Sequence, residues 1–187
     1  MAMPAPNTQW TAEMARALPD DGNRYEVLDG VLFVSPAPSP AHQRAVFLLC
    51  TILDRYTTAN DLGAAMISPA DIEFSPRRRL QPDVFVVPRE IDRHFRAWTE
   101  VTTLLLAAEV ISPSTARVDR GEKRLILQDE RIPEYWIVDL DARIVERWRP
   151  PDERPEILSE TLLWHPRSFA PALELDLVEY FRSVLGE

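Results

Sequence analysis

The stretch LLLAAEVISPST, residues 104–115, decides the fold class of this chain. Residues 104–111 are apolar at both alternating positions except for Glu109, which is typical of a central strand that is covered on both faces. The strand ends at the Ser-Pro break, and Ser114 is a good N-cap for a helix through residues 115–130. A buried strand that leads directly into a helix predicts an α/β fold.

The remaining segments place this strand in a mixed sheet. A short helix is predicted at 11–18, a hairpin at 24–35 around Asp29-Gly30, and a long helix after Ser39 and Pro40 that continues to Tyr56. Further strands are predicted at 64–68, 71–74, 82–87, 133–139, 143–150 and near 156–164, and a last helix at 176–185. We therefore expect a tail and short helix at 1–19 and a single domain at 20–187, with a mixed β-sheet flanked by helices and an N-terminal β-hairpin.

Length and charge limit the function classes. The chain has 187 residues, a net charge of -9 and one cysteine, which fits one domain without an internal disulfide. Its apolar stretches are shorter than the roughly 18 residues that cross a bilayer, so we expect no membrane span and a cytoplasmic location. A nucleic-acid partner would need a local basic patch or a divalent metal. The tight basic run Arg77, Arg78 and Arg79 is either a solvated loop or a weak contact to nucleic-acid phosphates.

Two carboxylates lie at the margins of apolar strands. Glu109 shares a strand face with Leu105, Ala107 and Ile111, close to the carboxyl end where α/β sheets bind ligands. Asp83 opens the strand at 82–87, so the two acids would share one cation if these strands are neighbours. Mg²⁺ prefers one or two carboxylates, with water and phosphate at its other positions. Structural salt bridges or helix capping are the alternatives.

The helix after Glu109 brings a lysine close to this margin. Asp119 and Lys123 are four residues apart and share one helix face, from which Lys123 could reach the strand end. Its ammonium group could orient a water, stabilise charge on a phosphate or, with a lowered pKa, act as a base.

Five segments, in this order, carry a resemblance to a known family: RYEVLDGVLFV, SPAHQ, QPDVFVV, AAEVISPSTARVDRGEK and PEYWIVD. Together they resemble the Uma2 family of the PD-(D/E)xK nuclease superfamily over about residues 20–150. The resemblance implies a restriction-endonuclease-like fold, Mg²⁺ or Mn²⁺ as cofactor, and hydrolysis of DNA to 5'-phosphate ends.

The resemblance also assigns residues. Pro82-Asp83 matches the PD element and Glu109 matches the second acid, so these two acids are the expected metal ligands. The superfamily has a lysine two residues after the glutamate, where this chain has Ile111. The Uma2 pattern instead has a lysine in the next helix, which Lys123 matches, so Asp83, Glu109 and Lys123 are the expected catalytic residues.

Four further residues are additional site candidates: Glu26, His42, Gln81 and Asp119. Glu26 matches a glutamate in the family's first hairpin, and the alternative is a surface charge on an edge strand. His42 matches a histidine at the start of the long helix, and the alternative is a histidine that is satisfied within the core or at the helix terminus.

Three functions compete. The first is a metal-dependent endonuclease that acts on DNA, expected as a homodimer. The second is a catalytically inactive protein of the same fold that binds nucleic acid or a protein partner. The third is a small structural dimer with an interface formed by Tyr135, Trp136 and Trp148, although aromatic residues on strands more often belong to the core.

Overall fold

The computed structural model describes residues 9–187, so residues 1–8 of the predicted tail lie outside the described residues. Its helices are α1 Ala12–Arg16, α2 Pro40–Ala59, α3 Arg89–Asp92, α4 Ala116–Val118, α5 Arg124–Asp129 and α6 Leu177–Leu185. Its strands are β1 Arg24–Leu28, β2 Val31–Ser35, β3 Gly63–Ile67, β4 Ile72–Ser75, β5 Arg78–Leu80, β6 Val84–Pro88, β7 Leu106–Val110, β8 Tyr135–Asp139, β9 Ile144–Trp148, β10 Glu156–Leu158, β11 Thr161–Trp164 and β12 Leu173–Asp176. The predicted mixed α/β architecture is confirmed.

A six-stranded sheet in the order β10-β9-β8-β7-β6-β3 forms the centre of the fold. Strand β7 pairs antiparallel with β6 and parallel with β8, and all five of its residues are buried. Leu106 and Ala108 pack into one hydrophobic cluster and Ala107 into the other, so both faces are covered, as predicted. Leu105 precedes the strand and packs on the opposite side from Ala107, so its predicted place on the Glu109 face is wrong.

The N-terminal hairpin belongs to a second sheet in the order β2-β1-β5-β4. Asp29 and Gly30 have positive φ values of 49° and 87°, which is the conformation that a tight hairpin turn of this type requires. Strand β5 contains part of the arginine run, and Arg79 is only 5% exposed. The expectation of a solvated loop is therefore wrong at this position, because β5 completes the sheet between β1 and β4.

Helix α2 covers one face of the central sheet. The Ser39 side chain accepts a hydrogen bond from the backbone N–H of His42, and Pro40 occupies the first turn, so the predicted helix start is confirmed. Its inward residues Ala45, Leu49 and Leu53 are at most 1% exposed and pack in the cluster that also contains α6 residues. Across residues 9–187, the search for a helix that could cross a membrane, by length and hydropathy, found none.

The helical segment after β7 begins one residue later than predicted and is irregular. Thr115 rather than Ser114 is the N-cap residue, and its side chain makes no capping hydrogen bond. Between α4 and α5, residues Asp119–Lys123 form a π-helical turn. Such turns widen the helix locally and occur frequently at functional sites.

The C-terminal region differs from the sequence expectation in two ways. The strand predicted near 156–164 is divided into β10 and β11, and β12, which was not predicted, pairs with β11. Tyr135, Trp136 and Trp148 are at most 7% exposed. These aromatic side chains belong to the core of the chain, so the hypothesis that they form a dimer interface is wrong.

Substitution of Gly63 tests how closely β3 approaches β6. Its φ is 140°, and a Cβ atom there would lie 1.9 Å from the carbonyl oxygen of Val87. We expect Gly63→Ala to lower the free energy of unfolding by more than about 2 kcal/mol, measured by urea denaturation. Gly121→Ala is the control, because a Cβ there meets nothing within 4 Å, and equal stability of the two variants would contradict the prediction.

Candidate active site

Polar side chains from the central six-stranded sheet, from the sheet of the N-terminal hairpin and from the π-helical turn converge on one cavity of about 370 Å³. We call it the acidic cavity. Its charged and titratable lining residues include Arg24, His42, Asp83, Glu109, Asp119 and Lys123. The three predicted catalytic residues and two of the additional candidates therefore lie together.

Asp83 and Glu109 meet because β6 and β7 are antiparallel neighbours, as the sequence required. Val84 is paired with Ala108, which brings the start of β6 beside the end of β7. The backbone N–H of Val110 donates to Asp83 Oδ2 at 2.9 Å, and the backbone N–H of Asp83 donates to Glu109 Oε2 at 3.3 Å. Each carboxylate is thus anchored to the strand that carries the other.

Lys123 is surrounded by three carboxylates. Its Nζ lies 2.8 Å from Glu26 Oε2, 3.0 Å from Glu109 Oε1 and 3.2 Å from Asp119 Oδ1. The π-helical turn directs Asp119 and Lys123 inward, and each residue is 2% exposed. A lysine from the next helix therefore reaches the second acid, as the family pattern implied.

Electrostatics fix the protonation of this group. Burial lowers the pKa of Lys123, but the attraction of Glu109, Glu26 and Asp119 is greater and holds that pKa well above its ordinary value. Burial raises the pKa of Glu109, Lys123 opposes this rise, and the charges of Asp83, Asp119 and Glu26 add to it, so the pKa is raised overall. The raised pKa of Lys123 favours its ammonium form, and with it the roles that need a positive charge over that of a base with a lowered pKa.

Asp83 has two cationic or hydrogen-bonding partners of its own. Arg24 Nη1 lies 2.6 Å from Asp83 Oδ1, and His42 Nε2 lies 2.9 Å from Asp83 Oδ2. Burial raises the pKa of Asp83, but His42 and Arg24 outweigh it, and the pKa lies well below its ordinary value. Asp83 is therefore ionised. His42 lines the acidic cavity from the first turn of α2.

Sequence reasoning missed Arg24. A signal for it exists, because Arg24 is two residues before Glu26 and alternate residues of a strand share a face. Glu26 is 0% exposed and reaches Lys123, and Arg24 on the same face of β1 reaches Asp83 and lines the acidic cavity. The alternative that Glu26 is a surface charge is wrong.

Gln81 contributes to the site indirectly, by binding Glu26. Its backbone N–H donates to Glu26 Oε1 at 2.8 Å, and its side-chain amide donates to Asp71 Oδ1 at 2.7 Å. Gln81 does not line the acidic cavity. It therefore holds Glu26 in place, and its contribution to the site is positional.

The three arginines of the basic run bind within the chain. Arg77 donates to the backbone oxygen of Asp29, and Arg79 donates to the backbone oxygen of Tyr25. Arg78 forms ion pairs with Asp29, Asp129 and Glu130. None of the three lines the acidic cavity, and a contact with nucleic-acid phosphates would compete with these internal partners.

The charge balance of the cavity suits a divalent cation. Four carboxylates face two permanent cations, Arg24 and Lys123. The buried oxygens Glu26 Oε2, Glu109 Oε1 and Asp119 Oδ1 share the single ammonium group of Lys123. Buried negative charge of this kind requires compensation. Residues 9–187 contain no preformed cluster of three or more His, Cys, Asp or Glu side chains that could hold a metal, so protein groups alone would supply only part of a coordination sphere.

The donor chemistry of Asp83 and Glu109 nevertheless fits Mg²⁺ or Mn²⁺. A carboxylate has about four acceptor positions. Asp83 uses three of them, for Arg24, His42 and the Val110 N–H, and Glu109 uses two, for Lys123 and the Asp83 N–H. Both acids therefore keep acceptor capacity, and two carboxylates completed by water and phosphate are a common arrangement for Mg²⁺.

Two comparisons with known proteins match most of this chain. A family model described as "Uma2: Putative restriction endonuclease" matches residues 12–178. A crystal structure described as a putative nuclease belonging to DUF820 from Anabaena variabilis ATCC 29413 is similar at a TM-score of 0.78 and 18% identity, covering 93% of this chain and 98% of that one. At this identity the likeness shows the shared fold. The search of curated proteins found no match.

Removal of the buried ammonium group tests the carboxylate cluster. We expect Lys123→Met to lower the free energy of unfolding by about 3–5 kcal/mol at pH 8, because three buried carboxylates lose their common partner. The loss should be smaller at pH 5, where Glu109, whose pKa is already raised, takes up a proton. The control is Arg117→Met, since the Arg117 side chain is 84% exposed, and an equal effect of both substitutions at both pH values would refute the cluster.

The pH dependence of stability tests Asp83. Because its pKa is lowered in the folded chain, its ionised form stabilises the fold above its unfolded pKa of about 3.9, and that stabilisation is lost as pH falls through the lower folded value. The difference in unfolding free energy between the native chain and Asp83→Asn should therefore decrease between pH 5 and pH 2. Substitution of the exposed Asp54 by Asn should give a difference that changes little over this range, and parallel curves for Asp83→Asn would contradict the assignment.

Proposed function

This chain belongs to the Uma2 family, and from that premise we propose that it is a metal-dependent endonuclease that hydrolyses phosphodiester bonds of DNA. The observation that carries the proposal is the meeting of Asp83 and Glu109 across β6 and β7 on the wall of the acidic cavity. Two anchored carboxylates beside a buried ammonium group are the elements that metal-assisted phosphodiester hydrolysis requires.

In this proposal Asp83 and Glu109 hold the cation. Their remaining acceptor positions and the excess negative charge of the cavity favour Mg²⁺ or Mn²⁺ over a softer metal. When bound, such an ion neutralises charge on the phosphate and lowers the pKa of water, which is the chemistry that divalent metals supply to hydrolases. The backbone N–H groups of Asp83 and Val110 hold the two carboxylates at fixed positions for it.

Lys123 acts as a fixed positive charge. Its raised pKa keeps the proton on Nζ, so it orients Glu109 and offsets negative charge in the cavity without abstracting a proton. Glu26 and Asp119 hold the ammonium group from its other sides, and Gln81 holds Glu26. These residues position the catalytic groups.

Arg24 and His42 contact the Asp83 carboxylate and hold it in position. His42 orients the carboxylate through Nε2, and its own position is fixed by the start of α2. Arg24 uses Nη1 for Asp83 and for the backbone oxygen of Gln81, while the guanidinium group lines the cavity. We infer that its other N–H groups bind a phosphate oxygen of the DNA, because guanidinium is suited to phosphate. A local cation of this kind also offsets the repulsion between DNA and a chain of net charge -9.

A second candidate is a protein of this fold that binds nucleic acid or a protein partner without cleaving. One observation favours it: Asp83 already accepts bonds from Arg24, His42 and Val110, so protein groups stabilise this carboxylate without a metal. A homodimer stays a prediction in both cases, and it would use surfaces other than the buried aromatic residues of β8 and β9.

Plasmid cleavage in Mg²⁺ or Mn²⁺ separates the two candidates. We expect the native chain to convert supercoiled plasmid to open circles, and Asp83→Asn and Glu109→Gln each to reduce the rate about 100-fold or more, because each removes a metal ligand. EDTA should abolish cleavage. Asp54→Asn and Glu153→Gln are matched controls on exposed carboxylates and should cleave at the native rate. No cleavage of plasmid or of single-stranded DNA by the native chain, or equal cleavage by all five proteins, would exclude the endonuclease.

A further inference from the structure

A second cavity, of about 330 Å³, adjoins the acidic cavity. We call it the side cavity. The two cavities share four lining residues, Arg24, Pro38, His42 and Asp83. A group bound in the side cavity would therefore lie next to whatever the Asp83 carboxylate holds.

Helix α2 forms one wall of the side cavity. His42 and Val46 are four residues apart, as are Gln43 and Phe47, so the four side chains share one face of the first turns of the helix. The adjoining face of α2 supplies Ala45, Leu49 and Leu53 to the core, and Val46 packs partly against the same cluster. Gln43 and Phe47 are exposed, so these two side chains of the side-cavity face do not belong to the core.

The end of β3 forms the opposite wall. Ile67 pairs with Val84, and the backbone N–H of Ser68 donates to the carbonyl oxygen of Asp83 at 3.3 Å. The hydroxyl of Ser68 donates to the carbonyl oxygen of Pro82 at 2.7 Å. This wall is therefore fixed to the same segment that carries the Asp83 carboxylate.

The side cavity has polar and apolar lining in similar amounts. Phe47 is 65% exposed and Ile67 is 45% exposed, although both are large hydrophobic residues. Val46 and Pro38 add apolar surface, and Gln43 and Arg24 supply hydrogen-bonding groups. Apolar side chains beside hydrogen-bonding groups can hold a planar organic ligand, and an exposed aromatic ring beside a phosphate site is suited to stacking on a base.

We propose that the side cavity binds an unstacked nucleobase next to the scissile phosphate, with Phe47 as its stacking surface. This inference rests on the proposed function, because the phosphate held at Asp83 determines which nucleotide reaches the cavity. A base that is paired and stacked in a duplex cannot present its face to Phe47, and extrusion costs a few kcal/mol, least where the strand is already single. The substrate class is therefore single-stranded or locally unpaired DNA.

DNA binding tests this assignment. Ca²⁺ would replace Mg²⁺ in the measurement, because it occupies oxygen sites without supporting catalysis. We would measure fluorescence anisotropy of a labelled single-stranded 12-mer and of the same sequence as a duplex. We expect Phe47→Ala to weaken binding of the single strand at least about fivefold and of the duplex less than about twofold, because loss of one stacked base acts only where a base is free. Phe47→Trp should retain the native affinity for the single strand.

Phe169→Ala is the matched control, because Phe169 is 73% exposed and lines neither cavity. It should bind both DNA forms as the native chain does. Unchanged binding by Phe47→Ala, an equal loss on both forms, a loss shared by Phe169→Ala, or no binding of single strands by the native chain would each overturn the base site. Phe47 is exposed, so the variant should keep the native melting temperature, and a lowered value would assign the residue to packing instead.

Different results would refute the endonuclease and the base site. Plasmid or oligonucleotide cleavage that depends on Asp83, combined with no effect of Phe47→Ala, would refute the base site and leave the endonuclease. Selective loss of single-strand binding in Phe47→Ala, combined with no cleavage by the native chain, would refute the endonuclease and support the base site on a binding protein.

Discussion

The pairing of β6 with β7 is the constraint on which the site depends. Alternate residues of each strand enter opposite hydrophobic clusters, with Val84 and Val86 on one face and Phe85 and Val87 on the other. A shift of one residue in either strand would turn Glu109 away from Asp83 and expose the apolar residues of that strand to the wrong face. Core packing therefore fixes the relative position of the two acids, and no separate interaction is needed to bring them together.

Once the acids are fixed, the buried charges must be balanced. Lys123 compensates one group of carboxylates, while Arg24 and His42 compensate Asp83. Burial raises the pKa of Glu109, and the charges of Asp83, Asp119 and Glu26 raise it further, an imbalance that a divalent cation would relieve under the proposed function. The same imbalance that reduces the stability of the chain alone would thus supply affinity for the metal, a relation between stability and function that is common at active sites.

The elements with local signals were predictable. The Asp29-Gly30 turn, the Ser39-Pro40 helix start and the apolar runs of β6 and β7 depend on neighbouring residues, and the structure confirms all of them. Strand β5 was missed because its arginines resemble a loop, although partners in two other segments neutralise Arg78. Strand β12 was missed because its only partner is β11. The π-helical turn was missed because its period differs from that of an ordinary helix over a single turn.

By itself, the sequence determined the residue types of the site and the strands that carry them, because alternation and capping are local properties of the chain. Five segments in order along the chain, two of which contain Asp83, Glu109 and Lys123, were enough to identify a family pattern. Only the tertiary structure decided that Arg24 binds Asp83, that Lys123 stays protonated, and that Phe47 faces a cavity beside the acids. These properties depend on distances between segments and on burial, and the electrostatic energy of a charged group changes with both.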